Sequence, residues 1–329
     1  MSGCQVAFIG CGRVARFHAD ALVALGVSIS AVCGRASSPN APAFAERYSV
    51  PRIYDSWQTL LEREQPHALW IAASWNEIDS LLLPMVESGI PCLIEKPAGL
   101  TSARLREALL ARDRRNTGVL VGYNRRFYDF VPRLRDLLAS DTLKAVEVHL
   151  PEPLSAYDPE TDAALMRSLW LVKCSHVLDL LCHLLGPLSI RILSRTADDV
   201  FHIPTAFNGL LETRGNVPVH LIANWGAPDS YRLVFHCRRS LVKVSPIERM
   251  QVFEGLAIEG TSPEHTIRTY SPRMTEERIV DATYKPGFYA QAENFLETCV
   301  RKRQPNVIGC TLEQALELTE LCEAIRGDA

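Results

Sequence analysis

At 329 residues and 47% hydrophobic content, the chain can bury full cores and reads as a soluble globular protein long enough for two domains. A net charge of −3, from 35 Lys+Arg against 38 Asp+Glu, supplies no global field for nucleic acid or an anionic membrane, which leaves a small molecule as the expected partner. Met1-Ser2-Gly3-Cys4 runs straight into the first strand, so no secretory leader is expected. No uncharged apolar run reaches about 18 residues, and the ten scattered cysteines lack C-x-x-C spacing, so a reducing cytoplasm is expected.

Short β-branched runs alternate with helical periods from the start. Gln5 to Ile9 reads as a strand, Arg13 to Leu25 as a helix, Val27 to Cys33 as a strand, Ala41 to Tyr48 as a helix, and Leu60 to Arg63 closes a further short helix. A buried strand (His67 to Ala73), a helix (Ile78 to Ser88), the strand Pro91 to Ile94, a helix from Ser102 to Arg114 and a strand from Val119 to Tyr123 follow. Helices of that length between strands imply parallel crossovers and a doubly wound α/β sheet. After Tyr123 the pattern changes. Phe127 to Leu138 reads as a helix, Ala145 to Leu150 as a strand, Pro151 to Asp162 as a loop, and Leu165 to Leu185 mostly as helix ended by Gly186-Pro187. Strands then come in series, Ile190 to Arg195, Ala206 to Thr213, Val217 to Trp225, Arg232 to Cys237 and Leu241 to Val244, with the alternation of an antiparallel sheet covered on one face. Two amphipathic helices close the chain, the second starting at Thr311 with Gln314 three residues on, a capping box. The expected division is a dinucleotide-binding Rossmann domain over 1–123 and an α/β domain with an open, mostly antiparallel sheet over 124–329.

Gly10-Cys11-Gly12-Arg13-Val14-Ala15 has the form G-x-G-x-x-A between the first strand and helix. The first glycine permits the tight turn, the second admits a pyrophosphate to the backbone, and Ala15 lets helix and strand pack closely. An acid specifying NAD would stand about twenty residues on. The sequence has Gly34-Arg35-Ala36-Ser37-Ser38 there instead, a guanidinium and hydroxyls that suit a 2′-phosphate, so NADP is favoured with NAD still open. Arg35 stacked on the adenine would be indifferent to that phosphate. Glu95-Lys96-Pro97 follows the strand ending at Ile94. Ligands of open α/β sheets bind at the carboxyl ends of strands, so Lys96 can orient a substrate hydroxyl, while Pro97 restricts φ and admits a cis bond. An ordinary strand-end Glu-Lys pair is the plain alternative. His176, Asp179 and His183 fall on one helical face; the set is poor for a metal, with two imidazoles, one carboxylate and no fourth ligand in sight. His176 suits general acid/base work, though a satisfied core histidine has the same pattern.

Together with Gly122-Tyr123-Asn124-Arg125-Arg126-Phe127 and the closing Gly287-Phe288 and Thr311 helices, these motifs resemble the Gfo/Idh/MocA family in order along nearly the whole chain. The resemblance implies a C-terminal sheet used in substrate binding and in a homo-oligomer, dimer or tetramer, with the site between the domains. Carried over, Lys96 and His176 are the catalytic pair. Gly10, Gly12, Arg13, Val14, Gly34, Arg35, Ser37, Ser74, Asn76, Glu95 and Lys96 lie at the cofactor, and Lys96, Asn124, Arg126, Lys173 and His176 at the substrate. Two departures stand out: Ala73-Ser74-Trp75-Asn76, where many relatives have Thr-Pro-Asn, and Val172-Lys173, where the family commonly has Asp four residues before the histidine. Lys173 could bind an anionic substrate group in its place. The implied activity is NAD(P)-dependent hydride transfer at a secondary alcohol of a sugar, cyclitol or nucleotide-linked sugar. A reductase of another carbonyl or imine, or a non-catalytic nucleotide-binding sensor, are the alternatives.

Overall fold

A computed structural model of the chain describes residues 3–35, 37–261, 266–302 and 308–327. Two compact units emerge. One comprises 1–127, 168–180 and 281–329; the other comprises 128–167 and 181–280.

The first unit is built on strands β1 (Gln5–Ile9), β2 (Ser28–Cys33), β3 (Arg52–Tyr54), β4 (Ala68–Ile71), β5 (Cys92–Ile94) and β6 (Val119–Val121). Between them run helices α1 (Arg13–Ala24), α2 (Asn40–Tyr48), α3 (Trp57–Arg63), α4 (Trp75–Glu87) and α5 (Ser102–Arg115). All pairs in this six-stranded sheet are parallel, in the order β3-β2-β1-β4-β5-β6, the expected doubly wound arrangement. Strands so enclosed read as unbroken apolar runs, and β4, β5 and β6 are buried throughout. The edge strand β3 escaped the sequence reading because three half-exposed residues, Arg-Ile-Tyr, carry no usable period. Side-chain oxygens of Ser56 and Thr101 cap α3 and α5 by accepting from the Thr59 and Arg104 amides.

The second unit contributes α6 (Val131–Ser140), β7 (Leu143–His149) and most of α7 (Ala163–Leu169), which passes through a π-helical turn (Trp170–Cys174) into α8 (Ser175–Leu185). Its eight-stranded sheet adds β8 (Leu188–Ala197), β9 (Pro204–Thr213), β10 (Pro218–Asn224), β11 (Arg232–Cys237), β12 (Ser240–Val244), β13 (Arg249–Glu259) and β14 (Thr269–Ile279). The order is β14-β13-β12-β11-β7-β10-β9-β8, antiparallel except for the pair β7 and β10. Val219, Leu221 and Ala223 are buried while His220, Ile222 and Asn224 face outward, the alternation read from the sequence. The hairpin β13–β14 was not foreseen. Its outer half is exposed even at Leu256, Ile258, Tyr270 and Met274, so cross-strand pairing rather than burial of an apolar face makes it a strand pair.

Helices α9 (Phe288–Phe295) and α10 (Leu312–Arg326) belong to the first unit, so the chain does not divide at a single cut after Tyr123. The cause is burial: Phe288, Ala292, Phe295 and Leu296 share one apolar core with Val6, Phe8, Ala15, Leu22 and Trp70. The Phe295 and Trp70 rings meet edge to face at 5.0 Å. The capping box at Thr311 forms in full, with the Thr311 hydroxyl accepting from the Gln314 amide and the Gln314 side chain accepting from the Thr311 amide. Ala163–Leu185 is the one run among the described residues long and apolar enough to cross a membrane, and most of its apolar side chains are buried inside the protein. All ten cysteines are free thiols. Truncating the fully buried Phe295 to Ala should lower stability by about 3–5 kcal/mol, read as a shifted midpoint in denaturant unfolding.

Candidate active site

Parallel strands bring their carboxyl ends to one edge, and there the G-x-G turn, the β2–α2 turn, the β4–α4 turn and Glu95-Lys96 all emerge. A cleft of about 630 Å³ opens along this edge, lined by Gly10, Gly12, Arg13, Val14, Gly34, Arg35 and Ser74 of the expected cofactor residues. Gly10 takes φ +97°, and a Cβ there would lie 2.4 Å from the Ala72 carbonyl oxygen, so only glycine fits. A Cβ on Gly12 would meet nothing within 4 Å, leaving the backbone open to the cleft. Gly12 is also the N-cap of α1, where no side chain caps the helix and no acid sits in the first turn. Unclaimed amides at the positive end of a twelve-residue helix, bordered by glycine, fit the pyrophosphate of a dinucleotide.

Other members of the expected set lie elsewhere. Ser37 and Asn76 are exposed and stand outside the cleft lining, where Ser38 and Asn40 appear instead, and Ala36 falls outside the described residues. Glu95 is buried against protein. His18 Nε2 lies 2.7 Å from its Oε1, and the Lys96 amide donates to its Oε2 at 3.2 Å. Glu95 therefore anchors the turn that carries Lys96. The cleft also includes Asp55, Ser56, Trp57 and Gln58 from the β3–α3 turn, which sequence reasoning missed because β3 itself gave no signal.

The Lys96–Pro97 bond is cis. Lys96 Nζ donates to the Val172 carbonyl at 2.6 Å. Thus at the position where the family resemblance implies an aspartate, a main-chain oxygen exposed by the π-helical turn meets the lysine. Four residues on, His176 stands edge-on to the buried Tyr123 ring, with centroids 5.7 Å apart. Its Nδ1 is buried and has no hydrogen-bond partner among the described residues. Burial pushes the His176 pKa well below its ordinary 6.5, and the positive charges of Lys96, Arg125, Lys173 and Lys285 push it the same way. Neutral imidazole among cations can accept a proton from a substrate hydroxyl, while the ammonium of Lys96 can hold the oxygen's developing charge.

Arg126 and Asn124 serve the architecture. Arg126 is buried, its guanidinium forked onto Asp179 at 2.6 and 2.8 Å and also donating to Gln314 Oε1 at 2.6 Å. Burial raises the Asp179 pKa, and Arg126 opposes that rise. The Asn124 amide donates to the Pro286 carbonyl at 2.8 Å. Lys173 is exposed, and His183 is held by Arg135, 2.6 Å away.

Residues 4–123 match the model of the Gfo/Idh/MocA family, described as an oxidoreductase family with an NAD-binding Rossmann fold. The match covers the N-terminal part of the chain, which is thus similar to the dinucleotide-binding fold of that family. A trans-1,2-dihydrobenzene-1,2-diol dehydrogenase of Sus scrofa is 28% identical over 108 residues, 33% of this chain and 32% of the relative. A myo-inositol dehydrogenase of Streptomyces leeuwenhoekii is 30% identical over 122 residues, 37% of each chain. The matched segments thus span about a third of these curated relatives. In fold the likeness is end to end: UDP-N-acetylglucosamine 3-dehydrogenase from Acidithiobacillus ferrooxidans superposes with a TM-score of 0.76 at 18% identity, covering 99% of this chain and 97% of that one.

Removing one partner of the Arg126–Asp179 pair strands a buried charge. Arg126→Met should cost about 3–5 kcal/mol in denaturant unfolding, and the double variant Arg126→Met/Asp179→Leu should recover much of the loss.

Proposed function

We propose that this chain is an NAD(P)-dependent oxidoreductase that moves a hydride between nicotinamide and a secondary alcohol or ketone of a sugar, cyclitol or nucleotide-linked sugar. The observation that carries the reading is that Lys96 is held on the Val172 carbonyl, four residues before a His176 set among cations, in the unit that holds the glycine-lined cleft.

A nicotinamide dinucleotide supplies the hydride acceptor or donor. Gly10, Gly12 and the first amides of α1 would hold its pyrophosphate, and Arg35 with Ser38 its adenosine end. In the oxidation direction His176 accepts the hydroxyl proton as the carbinol carbon loses hydride. Lys96 stabilises the negative charge that gathers on the oxygen between those events. Reduction runs the same groups backwards, with His176 returning the proton. Glu95 and His18 hold the Lys96 turn in place, and the Val172 carbonyl directs the ammonium. Val172 in place of an acid is what favours the second reading, a sensor that binds the nucleotide without turnover.

Offering oxidised and reduced dinucleotides with panels of sugars, cyclitols and nucleotide sugars tests the proposal by nicotinamide absorbance. Lys96→Ala should lower turnover about 10²- to 10⁴-fold with cofactor affinity nearly unchanged, and His176→Asn should abolish the proton step. Calorimetric binding with no absorbance change for any ligand would make the protein a sensor.

The base form of His176 exists above its own pKa, and that pKa lies well below 6.5. The acid limb of kcat/KM should therefore fall well on the acid side of the ordinary imidazole range. Lys173→Gln removes one of the opposing cations and should move that limb upward by about half a pH unit, less at high salt.

A further inference from the structure

Dinucleotide specificity of this fold usually turns on the residue at the end of β2, which here is Gly34. No carboxylate can stand there without rearrangement: a Cβ on Gly34 would lie 2.7 Å from Cys11 Sγ and 2.9 Å from the Ala41 Cβ. The thiol can swing aside, but the Ala41 Cβ is fixed to a helix. The neighbouring strand offers another source. In the parallel register of β2 with β3, Cys33 faces Tyr54, and the Gly34 amide donates to the Tyr54 carbonyl at 3.0 Å. The next residue, Asp55, therefore stands beside Gly34, and both line the cleft together with Arg35. Asp55 is exposed, and neither it nor Arg35 forms an ion pair among the described residues.

We infer that Asp55, supplied by β3, is the cofactor-specificity residue that opposes Arg35. Its carboxylate accepts a hydrogen bond from the free 2′-hydroxyl of an NAD ribose and repels the 2′-phosphate of NADP, while the Arg35 guanidinium attracts that phosphate. The two residues act on the same position with opposite sign, so the wild-type cleft takes both dinucleotides. This inference rests on the dinucleotide reading of the cleft.

The test is titration of NAD and NADP into the wild type, Asp55→Asn and Arg35→Ala by calorimetry, with no turnover required. Asp55→Asn is isosteric and exposed, and its fold is checked by circular dichroism. It should tighten NADP about three- to tenfold and weaken NAD by a similar factor, the size of a partly screened charge interaction. Arg35→Ala should weaken NADP about three- to tenfold and leave NAD nearly unchanged. If both dinucleotides bind the wild type and Asp55→Asn shifts neither affinity, the role of Asp55 is overturned while the dinucleotide reading stands. If neither binds the wild type, that reading fails and this inference with it.

Discussion

Parallel pairing makes strand ends coincide, and the candidate site depends on that coincidence. Ile9 pairs with Cys33 and Ile71, and Ile71 with Ile94, so the turns after β1, β2, β4 and β5 leave the sheet side by side. The edge closes tightly enough that Gly10 lies against the Ala72 carbonyl with no space for a side chain. Main-chain amides there are left for a ligand, because the helix they open has no side-chain cap.

Behind this edge, charge is arranged by burial. His18 and Glu95 form one covered pair, and Arg126 with Asp179 forms another. Each sets a buried carboxylate against a hydrogen-bonding partner, while the second ring nitrogen of His18 has none among the described residues. The buried Nδ1 of His176 likewise has no hydrogen-bond partner among the described residues, but His176 has cations on several sides where His18 has Glu95. A histidine that served only packing would gain from an acceptor or a carboxylate nearby, whereas this environment keeps the ring neutral and available to a proton from outside.

The β3–α3 turn has similar weight at the other end of the cleft. Three residues of edge strand bring Asp55, Ser56, Trp57 and Gln58 to the cleft that Gly34 and Arg35 also line. A short exposed strand adds little to stability, yet its register decides which side chains line the cleft.

What the sequence by itself determined is what local chemistry encodes. The alternation of apolar runs and helical periods specified the parallel sheet, the G-x-G-x-x-A turn located the cleft, the strand before Glu95 located Lys96, and Thr311 with Gln314 marked the last helix. The roles of equally polar neighbours were not legible, since Arg126 and Lys173 look alike until one sinks onto Asp179 and the other stays in solvent. Glu95 turned inward to His18, α9 entered the first core from far down the chain, and Asp55 reached the cleft through strand register. These outcomes were decided by tertiary structure alone, because each is settled by a competition for burial or pairing between segments distant in the chain, and no short-range period records who wins.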